Sequence, residues 1–340
     1  MVDLLEPIPV DRREAATCVL AEVFGTKPVS ALEAISGGAS GARIYRVEVA
    51  DRAYLLRLEA SHGGPLHNVP RAYAGMSQAA SAGVAPRLYH ADASLGVAVM
   101  DFLIERPIVQ FPGGPQNLLA SLGDLIARVH EIQPPFAPPR VDYPMLVEYM
   151  LGALNSSGVF SDGLLARHLE GLSRIRAAYR PDETPGSSHN DPNPRNIIFD
   201  GERLWLIDWE LAFRNDPMID IAIVANDFAQ TQAFADVLLG HCVRREPDAR
   251  LRARLVLARQ LVRAFYASIM IGAARFAGRP TSDDLEAPSP DEFLAAVTQG
   301  RLKTGSAQLA YTYGKMFLAA FRAGLDAPEF EDALATASSS

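Results

Sequence analysis

The spacing of apolar residues changes once along this chain of 340 residues, and that change limits the fold more than any other feature. In the first hundred residues the pattern alternates. Tyr45, Val47 and Val49 share one face of the segment Ala42 to Val49, and Tyr54, Leu56 and Leu58 share one face of Ala53 to Leu58. Such alternation is the mark of half-buried strands, whose successive side chains point to opposite faces. Leu32 to Ile35, Arg87 to His90 and Gly96 to Met100 complete an expected small antiparallel sheet. One helix precedes it, Arg12 to Phe24, and one is inserted, Val69 to Ala82, before Gly83 and Pro86. From Pro107 onward apolar residues recur at helical spacing over 117–131, 144–153, 161–178, 217–241, 248–277 and 291–325. The chain therefore reads as α+β. Its expected parts are a β-rich N-lobe over residues 1–100, a hinge at 101–106, a larger helical C-lobe over 107–335 and a frayed tail at 336–340, with a ligand cleft at the junction.

Composition narrows the classes. With 49% hydrophobic residues the chain can bury a core, which a disordered chain cannot. Its 32 Lys and Arg against 40 Asp and Glu argue against a nucleic-acid partner, because phosphate backbones are gripped by basic surfaces. Residues 181–240 hold eleven acids and three bases, a net of −8 that equals the formal charge of the whole protein. No membrane partner is expected: the most apolar helical stretch, Ala264 to Ala274, is closed off by Arg263 and Arg275, short of the ~20 residues a bilayer needs. Asp3 and Glu6 stand where a secretion signal carries positive charge, and two cysteines, Cys18 and Cys242, are too few for a disulfide framework. Both point to the cytoplasm. Oligomeric state is left open.

Within the helical half, residues 187–209 break the pattern. Asp200-Gly201 between the apolar runs Asn196–Phe199 and Leu204–Ile207 predicts a β-hairpin with a type I′ turn at Asp200-Gly201, which sets Asn196 opposite position 205. Asp191, Asn196 and Asp208 then converge from three points in the sequence. A carboxamide oxygen and a carboxylate, Asn196 and Asp208, are hard ligands suited to Mg²⁺, which takes few protein ligands and leaves its other positions to water and phosphates. Asp191 can accept a hydroxyl proton or orient a nucleophile. Singly, each residue is also ordinary turn chemistry, since Asp191-Pro192 and Asn193-Pro194 are common turn dipeptides. In the first half, the run Ser36-Gly37-Gly38-Ala39-Ser40-Gly41 lies between two predicted strands, where backbone N–H groups can cover phosphates, though it is neither a Walker A loop nor a dinucleotide motif.

His189-Asn190-Asp191 with Asn196, followed by Ile207-Asp208-Trp209-Glu210 and by Asn215-Asp216-Pro217 to Asp220, resembles the aminoglycoside phosphotransferase and choline/ethanolamine kinase family, leaning to its bacterial choline-kinase-like members. The resemblance runs from about residue 30 to 330. It implies a protein-kinase-like fold, ATP, Mg²⁺ and phosphoryl transfer to the hydroxyl of a small, cationic acceptor. By that likeness Asp191 is the catalytic base, and Asn196, Asp208 and Glu210 form the metal site. His189 and Asp220 brace the loop. Gly37, Gly38, Ser40, Gly41 and Arg57 meet the nucleotide phosphates, and Asp101 and Leu103 in the hinge receive the adenine. One departure stands out: such folds pair the strand cation with a Glu on the inserted helix, yet Ala60 to Ala91 contains no acidic residue. Glu48 or Glu59 are the alternatives for holding Arg57.

A cationic acceptor calls for aromatic and acidic neighbours, and Tyr266, Tyr313 and Asp227 are the candidates. At helical spacing those tyrosines equally suit a packed core. Two other readings stay open: a catalytically weak nucleotide-binding pseudokinase, because of the missing helix Glu, and a metal-dependent phosphohydrolase built on His189, Asp191, Asp208 and Asp220.

Overall fold

The computed structural model describes residues 4–35, 42–59, 68–138, 142–181, 185–278 and 284–338. The Gly-rich run 36–41, with its expected phosphate contacts from Gly37, Gly38, Ser40 and Gly41, lies outside the described residues. The chain divides into two compact units. One comprises residues 1–138 and 186–220, the other 139–185 and 221–340. The division thus differs from a cut at the hinge: residues 107–138 and the hairpin segment 186–220 group with the sheet.

The first unit opens with α1 (Val10–Phe24), β1 (Val29–Ile35), β2 (Arg43–Val49) and β3 (Arg52–Leu58). There follow α2 (Val69–Ser81), β4 (Leu88–Asp92), β5 (Val97–Asp101) and α3 (Gly114–His130). The five strands form one antiparallel sheet in the order β1-β2-β3-β5-β4. Register puts Tyr45 opposite Leu56 and Leu56 opposite Val99, so the alternating apolar sets of three strands meet on one face. That face, with Val47, Val49, Leu58 and Val97, buries against Ala16, Val19 and Leu20 of α1 and Ile8 ahead of it. Each such fully buried aliphatic side chain contributes about 1.5–3 kcal/mol. The opposite face is left to polar work, and Arg57 and Glu59 share it because they are two apart on an extended segment.

The same unit takes up four short strands: β6 (Gly186–Ser188), β7 (Ile197–Phe199), β8 (Leu204–Leu206) and β9 (Phe213–Asn215). β7 and β8 form the expected hairpin, and β6 pairs with β9. The hairpin turns one residue later than its sequence suggests. Asp200 N–H donates to the Arg203 carbonyl at 3.2 Å, so Gly201 and Glu202 are the central pair, and of the two only Gly201 has positive φ, +105°. The cause is the Asp200 carboxylate: Oδ1 accepts from the N–H groups of Glu202 and Arg203 at 2.8 and 2.9 Å, and Oδ2 accepts from Trp205 Nε1 at 2.6 Å. A one-residue shift of the tip moves the register by two, and Asn196 lies opposite Ile207.

The second unit is helical, with α4 (Tyr143–Asn155), α5 (Ala166–Ala178), α7 (Gln232–Val243), α8 (Ala249–Phe276), α9 (Pro290–Thr298), α10 (Ala307–Asp326) and α11 (Pro328–Ser338). The helix α6 (Pro217–Phe228) begins in the first unit and ends in the second. Two long apolar stretches are interrupted where a hydroxyl caps a new helix: Thr231 Oγ1 accepts from Phe234 N–H, and Ser306 Oγ from Leu309 N–H. The tail is not frayed through 336–338. α11 runs to Ser338, with Phe330, Ala333, Leu334 and Ala337 buried. By length and composition α8 is long and apolar enough to cross a membrane, contrary to the reading of its 264–274 core as too short. Most of its apolar side chains are nevertheless buried within the unit, where it packs on α4, α10 and α11, although Phe276 at its end is exposed.

Candidate active site

The first unit holds His189, Asp191, Asn196, Asp208, Glu210 and Asp220 together with Arg57. The anchor is Asp220 in the first turn of α6, fully buried. Its Oδ2 accepts from the backbone N–H of His189 at 2.9 Å and its Oδ1 from that of Asn190 at 2.7 Å, while His130 Nε2 lies 3.2 Å from Oδ2. A carboxylate accepting two backbone N–H bonds fixes the turn ahead of Asp191.

Asn190 sits at φ +66°, a conformation Asn tolerates better than most residues. Its side chain ties the surrounding strands: Nδ2 donates to the carbonyls of Leu211 at 2.8 Å and Phe213 at 3.2 Å, and Oδ1 accepts from Asn215 Nδ2 at 2.7 Å. His189 is sealed from solvent, with its ring 4.5 Å from that of Trp209. Burial drives its pKa down against the pull of Asp220, so the ring is neutral. Nε2 then donates to the Ile207 carbonyl at 2.8 Å, and Nδ1 accepts from Asp191 N–H at 3.3 Å.

Two amides orient the Asp191 carboxylate. Asn193 Nδ2 donates to Oδ1 at 2.8 Å, and Asn196 Nδ2 donates to Oδ2 at 3.2 Å and to the Asp191 carbonyl at 2.8 Å. Because its amide nitrogen is used this way, Asn196 Oδ1 faces the other direction. Ile207 N–H donates to the Asn196 carbonyl at 3.0 Å, which places Asp208 one residue past the hairpin pair. Asp208 adopts φ +65° and carries a buried Oδ1 without a hydrogen-bond partner; its nearest cation is Arg57 Nη1 at 3.6 Å. Burial pushes the Asp208 carboxyl pKa up, Arg57 pulls it down, and the net direction is up. A buried carboxylate oxygen lacking a donor fits a divalent cation. Among the described residues no group of three or more His, Cys, Asp or Glu could form a metal cage.

Arg57 resolves the missing helix Glu. Its Nε donates to Glu59 Oε1 at 2.7 Å, its Nη2 donates to Glu210 Oε1, and its side chain is only 12% exposed. Burial pulls its pKa down, and Glu59, Asp208 and Glu210 more than offset that, so the guanidinium stays charged. Glu48 is engaged elsewhere, with Arg46. Glu210, expected at the metal site, pairs with Arg57 in this structure. The inserted helix α2 contributes a cation: Arg71 Nη2 lies 3.4 Å from the Glu210 carbonyl. α2 lies close to this turn because Gly75 faces it, where an added Cβ would stand 2.9 Å from Ala212 Cβ.

Asp101 ends β5 with its carboxylate held by Arg52 at 2.6 Å and by the Tyr89 hydroxyl at 2.9 Å. Leu103 follows in an irregular segment that rejoins the unit where Arg106 N–H donates to the Phe199 carbonyl at 2.7 Å. Asp227, Tyr266 and Tyr313 fall in the second unit. There Tyr266 stacks on Phe317 with ring centroids 5.2 Å apart, and Tyr313 stacks on Phe293 at 5.3 Å, so the tyrosines serve an aromatic cluster. No role was assigned from sequence to His130, Asn190, Asn193 or Asn215. His130, in the last turn of a helix far upstream, carries no local signal; the three Asn lie inside the motif and were readable as its internal scaffold.

Residues 31–256 match the phosphotransferase enzyme family. A choline/ethanolamine kinase family protein from Mesorhizobium loti has a similar structure, with TM-score 0.65 and 21% identity over 97% of this chain and 100% of that one. The structure of LicA in complex with AMP gives 0.57 and 14% identity over 91% and 98%. Protein LicA of Haemophilus influenzae is 41% identical over 51 residues, which span 15% of this chain and 19% of that protein. The two structures share the α+β, protein-kinase-like architecture.

Proposed function

The chain belongs to the phosphotransferase enzyme family, and from that premise we propose that it transfers the γ-phosphoryl group of ATP to a hydroxyl of a small molecule, with Mg²⁺, in the cytoplasm. The observation that carries the proposal is the joint placement of Asp191, in the braced loop, with Asn196 and Asp208 at the open end of the hairpin that follows, Asp191 held by two amides and Asp208 Oδ1 left without a donor. In this reading Asp191 takes the proton of the attacking hydroxyl as the new O–P bond forms and the bond to ADP breaks. Asn196 Oδ1 and Asp208 would hold Mg²⁺, which when bound neutralises phosphate charge. Arg57, held by Glu59, meets the nucleotide phosphates, and a nucleotide is what the similar LicA structure contains.

An amine-bearing acceptor of the choline or aminoglycoside type is the first class to test. The acid excess of residues 181–240 supports it less than its size suggests, because Glu210 faces Arg57 and Asp220 serves backbone N–H groups. The Glu59 pair removes the motive for a pseudokinase. A phosphohydrolase using His189 as metal ligand is disfavoured by the commitment of both ring nitrogens to backbone partners. The test is ADP release by the purified protein with Mg-ATP and a panel of amino alcohols, aminoglycosides and sugars. Acceptor-dependent release that Asp191→Ala abolishes while nucleotide binding persists is the expected result; full turnover by that variant would remove Asp191 from its role.

A further inference from the structure

The helix α8 is buried along most of its length, yet Arg259 and Arg263, one turn apart, lie on a half-exposed stripe of it. Their hydrogen-bond partners are neutral. Arg259 donates from Nε to Asn226 Oδ1 at 3.0 Å and from Nη1 to the Ala229 carbonyl at 3.4 Å. Arg263 donates from Nη1 to Gln260 Oε1 at 3.1 Å and to the Ala320 carbonyl at 3.2 Å. Arg252, two turns earlier than Arg259 on the same stripe, is by contrast matched by Asp236 at 2.7 Å.

Asp227 and Glu329 favour the charged form of Arg259 against its burial, though neither is among its hydrogen-bond partners. Among the described residues no carboxylate acts on Arg263, and burial together with the neighbouring Arg259 lowers its pKa to about 10. Among the described residues, Arg259 Nη2 and Arg263 Nε and Nη2 have no protein acceptor, and none of the three is sealed from solvent. Like charges one helical turn apart repel, and half-buried cations lacking a counter-charge are costly. An oxyanion would supply the directly bonded anion that neither has, since each guanidinium presents a planar fork of donors and two of them balance a dianion. Tyr266, the next residue on this stripe, stacks on Phe317 and offers an apolar wall beside the forks.

We propose that Arg259 and Arg263 form a binding site for the phosphate group of a small phosphate monoester whose organic body rests on Tyr266. The site is distinct from the transfer residues described above, and its binding test does not depend on that reaction. The monoester is either the acceptor itself or a separate regulator.

The experiment is calorimetric titration of the full chain with glycerol 3-phosphate and with inorganic phosphate at low ionic strength. Saturable binding is expected, weakened at least about tenfold in Arg263→Gln and in Arg259→Gln, and unchanged in Arg252→Gln, whose guanidinium is already matched by Asp236. Circular dichroism checks that each variant is folded, and either arginine variant alone suffices if the other is not. Competition by glycerol 3-phosphate against the acceptor in the transfer assay identifies an acceptor site; an altered kcat without competition identifies a regulatory one. Absence of saturable binding up to about 10 mM, or binding that neither arginine variant weakens, overturns the proposal.

Discussion

Replacing Glu59 by Gln isolates the contact that stands in for the missing acid on α2. The substitution preserves shape and leaves an amide oxygen able to accept from Arg57 Nε, so what is lost is the charge opposite a guanidinium that is 12% exposed, from a side chain that is itself 4% exposed. A hydrogen bond to a charged group contributes about 1.5–3 kcal/mol, and Arg57 keeps Glu210 and Asp208, so the cost belongs at the lower end of that range. If Arg57 meets the nucleotide phosphates, half-released Arg57 should weaken ATP binding by roughly 10-fold, and by no more than roughly 150-fold. The assay is the KM for ATP and its Kd by calorimetry, in wild type, Glu59→Gln, Arg57→Ala and the double variant. Glu59→Gln should raise both constants in the wild-type background and change neither once Arg57 is gone, a coupling that a purely structural Glu59 would not give. Equal effects in both backgrounds would refute the reasoning, as would an unchanged ATP affinity in the single variant.

Asp220→Asn should cost about 1–3 kcal/mol, read from urea unfolding, because Oδ2 and Oδ1 each accept from a different N–H and an amide replaces one of these oxygens with an NH2 that cannot accept; a change below about 0.5 kcal/mol would mean the loop is braced elsewhere. Burial raises the Asp208 carboxyl above the ordinary aspartate value of about 3.9, so on acidification protons compete with Mg²⁺ at a higher pH than an exposed aspartate would allow. Calorimetric Mg²⁺ titrations at successive pH values should show this early loss of affinity, and Asp208→Asn should abolish its pH dependence. The same raised value means that the metal-free fold binds a proton more readily than the unfolded chain, so Asp208 favours folding more as pH falls through its folded pKa, and thermal melts of the apo protein should show this difference against Asp208→Asn. Gly75→Ala should destabilise by about 1–3 kcal/mol in thermal melts, since its Cβ would press on Ala212 at 2.9 Å.

What was legible in the sequence follows from the range of the interactions. The strands were read correctly because alternation is local and one face is buried: Tyr45, Val47, Leu56 and Leu58 all lie at or below 1% exposure. The breaks at Thr231 and Ser306 were missed because a capping hydroxyl inside a continuous apolar pattern leaves the period intact on both sides. The tail was misjudged from its terminal serines, although Phe330 and Leu334 one turn apart carried the helical signal. The hairpin was placed correctly and its register was not, because the Asp200 side chain, rather than the Asp-Gly pair, chose the tip. In the site, Asp191, Asn196 and Asp208 were readable from spacing. The ligand set of Arg57 was only half readable: Glu59 is two residues away on the same strand face, whereas Glu210 comes from 153 residues downstream.

That second partner changes the meaning of the acid excess. Eleven acids between 181 and 240 suggest an electronegative surface tuned to a cationic ligand. In the folded unit Asp200 shapes a turn, Asp216 Oδ1 accepts from Met218 N–H at the start of α6, Asp220 holds the loop and Glu210 holds Arg57. Together with Asp236, which pairs with Arg252, at least five of the eleven are thus consumed by backbone N–H groups or by a protein cation. Of the acids in the motif, Asp208 alone keeps a buried oxygen with no hydrogen-bond donor, and Asp191 is oriented by amides that leave its charge intact. On the proposed function that leaves Asp208 for a metal and Asp191 for a proton, so the acid excess is by itself no argument for a cationic acceptor.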